Sequence, residues 1–177
     1  MKKQILLKNI KLSFYLNKKI ALKLFQPYLI KSNIVIKIKS KLGNLRLTIY
    51  PNNAKHINLT GLKSLIYLNH FIKSFQNNFD CKIVKVKIDN IFYSVKNCKK
   101  IELSKLYCYL KRLKKSYVMY NPESFAGIQI KSKEHNYVIL LFSTCSVCIL
   151  GKLDPHLAQH KYKTIIQLIQ QIYKSEF

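Results

Sequence analysis

The chain has 177 residues, with 32 Lys plus Arg against 7 Asp plus Glu, a formal net charge of +25 at pH 7. Hydrophobic residues make up 49% of it, enough for a packed core, which argues against a wholly disordered basic protein. So large a charge favours a polyanionic partner. Because the few acids are scattered and no glycine-rich phosphate loop is present, we expect no enzyme, no cofactor and no small-molecule substrate.

The five cysteines are odd in number and fit no disulfide framework, which favours a reducing compartment. Cys145 and Cys148 have C-x-x-C spacing, but residues three apart in a strand point to opposite faces. No second pair follows at zinc spacing, so we expect no metal site. No apolar run reaches about 18 residues, and we expect no membrane span.

Strand-like and helix-like stretches alternate along the first half. Apolar and polar residues alternate with a period of two in the strand candidates, and apolar residues follow helical spacing near the end of the half. The predicted elements are a strand over 5–15, a short helix over 18–25, strands over 34–39, 45–50 and 55–60, and a helix over 62–75.

The second half repeats this order. Its predicted elements are a strand over 83–95, a helix over 103–113, strands over 125–131, 138–142 and 145–150, and a helix over 155–173.

The two halves also align directly. Residues 36–41 match residues 128–133, Tyr50 matches Phe142, and Asn9 matches Asn90. The unit is too long for a solenoid repeat. The sequence therefore predicts one core over 1–177 made of two repeats, 1–78 and 79–177, related by a pseudo-two-fold axis. Chance similarity in a biased composition is the alternative.

The sharpest segment is Tyr120-Asn-Pro-Glu-Ser-Phe-Ala-Gly127. An aliphatic strand ending in Phe142 follows, and then a return strand ending in Gly151. Together these resemble the second repeat of the TATA-box-binding protein (TBP) family. The resemblance is strong over residues 82–174 and weak over 5–76.

The resemblance implies an α+β, TBP-like saddle, in which a curved antiparallel sheet is covered by helices on its convex side. It also implies a DNA-binding, general transcription initiation factor of the nucleus, which recognises AT-rich, TATA-type promoter DNA. Such a factor binds the minor groove, inserts Phe side chains and bends the duplex. It then recruits a TFIIB-class initiation factor.

The resemblance assigns wedge roles to Phe125 and Phe142. Strand parity places Val138 and Leu140 on the same face as Phe142. The other underside positions of this repeat are Asn90, Phe92, Cys148 and Leu150. An Asn amide can donate to the acceptors of the minor groove. Core packing alone is the alternative interpretation of these apolar residues.

The first half departs from the family pattern. Asn33 aligns with one wedge position, and Tyr50 stands at the other. Four positions that the family keeps apolar or small carry polar or charged residues here, namely Lys11, Arg46, Thr48 and Asn58. Two underside positions are retained, Asn9 and Thr60. We therefore hypothesise an asymmetric saddle, in which the second half kinks DNA while the first holds phosphates and wedges weakly through Tyr50.

In the family, acids near the second wedge contact the TFIIB-class factor. Glu123 is retained here, and Asn121 replaces a second acid. A basic run is formed by Lys111, Arg112, Lys114 and Lys115, and it either extends phosphate contact or is a solvated face.

Two other functions stay open. One is a TBP-fold scaffold or TBP-related factor with relaxed TATA specificity that acts through protein partners. The other is a basic RNA-binding or ribosome-associated protein.

Overall fold

The structure is a computed structural model that describes residues 4–21, 29–30, 33–40, 43–96, 100–114, 116–132 and 136–173. The chain divides into two compact units. The first unit is residues 8–90, and the second is residues 91–177 with residues 1–7. None of the described helices is long and apolar enough to span a membrane.

The first unit is built on antiparallel strands in the order β2-β3-β4-β5-β1. Its elements are β1 (Leu6–Leu16), β2 (Leu29–Ile30), β3 (Asn33–Ser40), β4 (Gly43–Tyr50), β5 (Asn53–Leu62), a 3-10 turn (Leu65–Tyr67) and α1 (Leu68–Phe79).

Alternation of apolar and polar residues decides which face of this sheet is buried. Leu47 and Ile49 of β4 are 1% and 0% exposed, whereas Thr48 between them is only half-buried. The helix α1 packs on the apolar face, and its Phe71 stacks on Phe14 of β1 with ring centroids 5.7 Å apart. The polar side chains of β4 therefore lie on the face away from the helix.

The second unit has antiparallel strands in the order β6-β10-β9-β8-β7. Its elements are β6 (Ile83–Val95), which begins in the first unit, α2 (Leu103–Arg112), β7 (Ser116–Met119), β8 (Gly127–Ser132), β9 (Tyr137–Phe142), β10 (Val147–Gly151) and α3 (Pro155–Ile172).

The helices of the second unit cover one face of its sheet. Leu106 of α2 and Ile169 of α3 are fully buried, as are Leu141 and Val147 of the strands. Asp154 caps the start of α3, and its carboxylate accepts a hydrogen bond from the Leu157 N–H at 2.9 Å. This cap satisfies one of the amide groups that a helix leaves unpaired at its start.

Strand registers establish which positions of the two units correspond. Thr48 lies opposite Asn58 in the first unit, just as Leu140 lies opposite Cys148 in the second. Ser13 lies opposite Asn58, as Ser94 lies opposite Cys148. By these pairs Tyr50 corresponds to Phe142, in agreement with the sequence alignment.

The alignment of residues 36–41 with 128–133 is wrong by two residues. Thr48 lies opposite Val35, whereas Leu140 lies opposite Gln129. A slip of two keeps every side chain on the same face of a strand, so alternation alone cannot detect it. Asn33 therefore corresponds to Gly127, and the counterpart of Phe125 is residue 31, which lies outside the described residues.

Most predicted elements are present within two to four residues of their predicted ends. Two strands at the outer edge of their sheets were missed, β2 and β7. The predicted helix over 18–25 is wrong for residues 18–21, which are not helical, and its remainder lies outside the described residues. The repeat boundaries 1–78 and 79–177 stay a prediction.

Candidate nucleic-acid interface

The helices leave one face of the second unit's sheet uncovered. Ile139 and Leu141 of β9 are 3% and 0% exposed, whereas Val138, Leu140 and Phe142 are half-buried. Because successive side chains of a strand point to opposite sides, the three half-buried residues lie on the face away from the helices. We call this face the second open face.

Strand pairing brings the predicted underside residues of this unit together. Leu150 of β10 lies opposite Phe92 of β6 and Val138 of β9. Cys148 of β10 lies opposite Leu140 of β9. All five side chains are half-buried on the second open face. The arrangement is a continuous apolar surface three strands wide, across β6, β10 and β9.

The two predicted wedge residues meet at one end of this surface. The Phe125 and Phe142 ring centroids are 5.8 Å apart, with the ring planes at 59°. Gly127 lies opposite Phe142, and a Cβ on it would stand 3.0 Å from Phe125 Cε1 and 3.2 Å from Phe142 Cδ1. Glycine at this position therefore leaves the space in which the ring pair packs.

The turn before Phe125 is fixed by Asn121. The Phe125 N–H donates to the Asn121 carbonyl at 2.9 Å, and the Glu123 N–H donates to Asn121 Oδ1 at 3.1 Å. The Glu123 side chain is exposed. Asn121, which replaces a family acid, thus holds the turn that presents Glu123 to solvent.

The two predicted reader asparagines have different surroundings. Asn90 is half-buried in β6, two residues before Phe92 and therefore of the same strand parity. Asn9 Oδ1 accepts a hydrogen bond from the Gly61 N–H at 2.6 Å. This bond ties β1 to the end of β5 and leaves the amide nitrogen of Asn9 as a donor.

The corresponding face of the first unit, which we call the first open face, is polar. Arg46 of β4 lies opposite Thr60 of β5, and Thr48 lies opposite Asn58. Arg46 is exposed, and Thr48, Thr60 and Tyr50 are half-buried. The structure therefore groups Arg46, Thr48, Thr60 and Tyr50 as predicted, on a surface without the apolar character of the second open face.

Tyr50 is held by a chain of polar side chains. Asn58 Nδ2 donates to the Tyr50 hydroxyl at 2.7 Å. The Ser13 hydroxyl lies 2.9 Å from Asn58 Oδ1 and 2.5 Å from Asp89 Oδ2. Asn58 and Ser13 are 8% and 4% exposed, and the Ser13 hydroxyl, which has a single proton, donates to one of these two oxygens at a time.

The ring of Tyr50 belongs to an aromatic stack. His56 lies 5.8 Å from Tyr50 and 4.9 Å from Tyr15 between ring centroids, with planes within 20° of parallel. Lys85 Nζ lies 5.8 Å from the centroid of the Tyr15 ring. His56 Nε2 is buried and has no hydrogen-bond partner in the described part of the chain. Tyr50 is thus held at its hydroxyl as well as at its ring, whereas Phe142 has only a ring contact, with Phe125.

The two open faces also differ in the charged and titratable side chains that they carry. Exposed Lys37 lies opposite Arg46, and Lys11 is exposed on β1, so the first open face carries several cations. Lys131 lies opposite Val138 at the rim of the second. Burial raises the pKa of the Cys148 thiol, which keeps it neutral among the apolar side chains.

Five further residues share the second open face and were missed from the sequence. Gln129 and Lys131 lie opposite Leu140 and Val138, and β7 adds two more at the edge. Strand parity in β6 and β8 contained the signal for three of them, but the strand β7 was not predicted. The five are Ser94, Tyr117, Met119, Gln129 and Lys131.

The first two residues of the predicted basic run lie at the C-terminal end of α2. Lys111 and Arg112 are exposed in the last turn of α2, where positive charge is favourable to the helix dipole. Lys115 lies outside the described residues. Among the described residues, no group of three or more His, Cys, Asp or Glu could hold a metal ion.

Comparison with known proteins identifies the family. The model of "Transcription factor TFIID (or TATA-binding protein, TBP)" matches residues 85–172, half of the chain. The chain belongs to the TATA-binding protein family. The Methanococcus jannaschii TBP structure matches 96% of this chain and 99% of its own, with a TM-score of 0.68 at 20% identity. The family and the α+β fold predicted from the resemblance are confirmed.

Two other comparisons add nothing to this assignment. A structure of A. aeolicus tRNASec with M. kandleri SerRS covers 98% of this chain and 31% of that one, at 9% identity and a TM-score of 0.41. No curated protein matches the chain. Members of the TBP family are DNA-binding transcription factors and not enzymes, so this protein is a TBP-like transcription factor.

Proposed function

We propose that this TBP-like protein is a promoter-recognition factor that binds AT-rich, TATA-type DNA in the minor groove. Phe125 and Phe142 enter a base step and bend the duplex. The observation that carries the proposal is the ring pair at the end of an open apolar face, next to a glycine that leaves room for both rings.

The chemistry of the second open face suits an A·T-rich minor groove. Val138, Leu140 and Leu150 present apolar atoms, which pack against base edges that carry no amino group. Asn90 and Phe92 extend this surface along β6, and Cys148 lies within it as a neutral thiol. In minor-groove binders, TATA-binding proteins among them, unstacking a step costs a few kcal/mol, offset by the protein surface that bent DNA buries.

The first open face has a different role in the proposal. Arg46 and Lys11 neutralise phosphates, Thr48, Thr60 and Asn9 contact base edges, and Tyr50 contributes little wedging because its hydroxyl and ring are held. Each phosphate contact releases counterions, so we expect affinity to fall steeply with salt concentration.

A TFIIB-class initiation factor is the proposed protein partner, and the nucleus the proposed location. Glu123 is exposed on a turn that Asn121 fixes, next to the wedge Phe125. A carboxylate held in this way can meet a basic side chain of the partner.

Bending of end-labelled duplexes, read by energy transfer at fixed salt, tests the proposal. The proteins are the wild type, the Phe125→Ala/Phe142→Ala variant, and Phe79→Ala as a matched control that removes a ring from α1. We expect the wild type and the control to bend an AT-rich duplex but not a G·C-rich one, and the double variant to bind without bending. Equal bending by wild type and double variant would contradict the proposal.

A scaffold is the second candidate, favoured by the polar first open face. In that case the fold serves a protein partner and DNA contact is incidental. Tight binding to both duplexes without bending, together with a stable protein complex that Glu123→Arg disrupts, would support the scaffold over the promoter factor.

A further inference from the structure

The helix α2 contacts the turn that carries Phe125. This helix packs against β7 and β8, the two strands that flank the turn over residues 120–126. Tyr107 of α2 and Tyr120, the first residue after β7, bring their ring centroids to 6.0 Å, with the ring planes at 52°. Both side chains are half-buried. The proposed function gives this ring contact no role.

The contact falls where the sheet holds the chain weakly. The strand β7 has four residues and lies at the end of the sheet, so it has a hydrogen-bonded neighbour on one side only. Its Tyr117 and Met119 are 61% and 56% exposed and add little packing. Tyr120 has the strand parity of Val118, which lies opposite the buried Ile130 on the helix side. The Tyr120 ring therefore gives this end of the turn a packing contact that the edge strand does not supply.

Hydrogen bonds connect the position of Tyr120 to that of Phe125. The carbonyl of Asn121, the next residue, accepts from the N–H groups of Ser124 at 3.2 Å and Phe125 at 2.9 Å. The Ser124 hydroxyl donates to the same carbonyl at 3.2 Å. Three hydrogen bonds of the turn thus end on the residue covalently joined to Tyr120. A shift of Tyr120 consequently displaces Phe125 from the Phe142 ring.

The contact depends on the rings and not on the hydroxyl groups. Among the described residues, no hydrogen bond engages the hydroxyl of Tyr107 or of Tyr120. Lys111, one helical turn after Tyr107, places its Nζ 5.6 Å from the centroid of that ring, a distance at which a cation and an aromatic ring attract each other. Removal of the Tyr107 ring should therefore matter, and removal of its hydroxyl should not.

We propose that Tyr107 is a positioning residue for the Phe125 wedge. Its ring holds Tyr120 against α2, and the hydrogen bonds to Asn121 then fix where Phe125 stands. This inference rests on the proposed minor-groove function, and it gives a residue on the helix side of the second unit a part in DNA recognition. Without the ring, the turn is in the wedging position for a smaller fraction of the time. The apparent affinity then falls only for DNA that requires the wedge.

The first measurement is the ratio of affinity for the AT-rich duplex to affinity for the G·C-rich duplex at fixed salt. Phosphate contacts are common to both duplexes, so a loss of folded protein lowers both affinities and leaves the ratio unchanged. We expect Tyr107→Ala to lower the ratio about two- to tenfold, the range for one aromatic pair. Tyr107→Phe keeps the ring and should retain the wild-type ratio. Tyr109→Ala, which removes an exposed tyrosine from the same helix, is the matched control and should also retain it.

The second measurement needs no DNA. Nuclear Overhauser contacts between the Phe125 and Phe142 rings, recorded by NMR on the free protein with labelled phenylalanine, report on the ring pair directly. We expect Tyr107→Ala to weaken these contacts, and Tyr107→Phe and Tyr109→Ala to keep them. Tyr107→Leu retains apolar bulk on α2 and takes the place of the alanine variant if that variant does not fold.

The results that would overturn the inference differ from those that would overturn the proposed function. An unchanged ratio and unchanged ring contacts in Tyr107→Ala, with the wild-type preference for the AT-rich duplex intact, refute the positioning role alone. An equal loss in Tyr109→Ala would also refute it, because the effect would then belong to α2 in general. Equal wild-type affinity for both duplexes refutes minor-groove recognition, and the ring contacts then still decide whether Tyr107 positions Phe125.

Discussion

Gly127 and Phe142 lie directly opposite each other across β8 and β9, and a Cβ at Gly127 would also stand 2.9 Å from the Leu141 carbonyl oxygen. The place of the Phe142 ring thus depends on the absence of a side chain at Gly127 in the neighbouring strand.

Gly127→Ala should therefore displace the ring pair. We expect a loss of about 1–3 kcal/mol in the free energy of unfolding, typical of an overpacked site, and a smaller DNA bend. Urea unfolding and energy transfer measure the two effects. Ala126→Ser, at the exposed neighbouring position, is the control and should change neither. Wild-type bending by Gly127→Ala would show that the ring positions do not depend on this space.

Tyr50→Phe tests the chain of polar groups on the first open face. The change removes the acceptor for buried Asn58 Nδ2, and an unpaired buried amide costs about 1–3 kcal/mol. The double variant Tyr50→Phe/Asn58→Cys copies the Phe142 and Cys148 pair of the second unit. Since it removes both polar partners, we expect its stability in urea to recover most of the loss. No recovery would mean that Ser13 and Asp89 depend on Asn58.

Cys148 provides a chemical probe of the second open face. Burial raises the pKa of this thiol and limits access to it, so a maleimide should modify Cys148 several-fold more slowly than the exposed Cys108. Bound AT-rich duplex should slow Cys148 further and leave Cys108 unchanged. Mass spectrometry of the labelled protein reports both sites at once. Equal protection of both cysteines would place the DNA elsewhere.

Asp154 should make stability depend on pH in the acid range. The hydrogen bond from the Leu157 backbone N–H lowers the pKa of this carboxyl below its ordinary value of 3.8. The stabilisation is therefore present above the ordinary value and is lost as the pH falls through the lowered one. Urea unfolding should show a difference between wild type and Asp154→Ala that is constant near neutral pH and shrinks in that acid range. Lys163→Ala on the same helix should show a difference that the acid range does not change.

The sequence predicts the second unit better than the first for a physical reason. Its Tyr120–Gly127 segment combines a turn fixed by Asn121, the ring of Phe125 and a glycine that leaves room for that ring, so few other sequences satisfy it. The first unit has alternation without such an anchor, and alternation tolerates a slip of two residues, as the misplacement of Asn33 shows.

The hydrogen bonds between side chains could not be predicted from the sequence either. Ser13, Asn58 and Asp89 are far apart in the chain, and only the folded sheet shows that they secure Tyr50. The edge strand β7 was missed because it has only four residues, too few for a period to be recognised. Only the structure therefore shows that Tyr117 and Met119 of β7 lie on the second open face.

Gly61 and Gly151 lie at the ends of the return strands of the two units, both at positive φ, and a Cβ on either would clash with the carbonyl of an asparagine, Asn44 or Asn136. The two units thus share a backbone constraint where their open-face side chains have diverged. Exchanging open-face side chains between the units would replace exposed or half-buried groups at most positions, whereas exchanging Asn58 would replace a buried group that is hydrogen-bonded to Tyr50. A chain with the second unit's side chains on both open faces would present two like surfaces, whereas the natural chain presents one apolar and one polar surface.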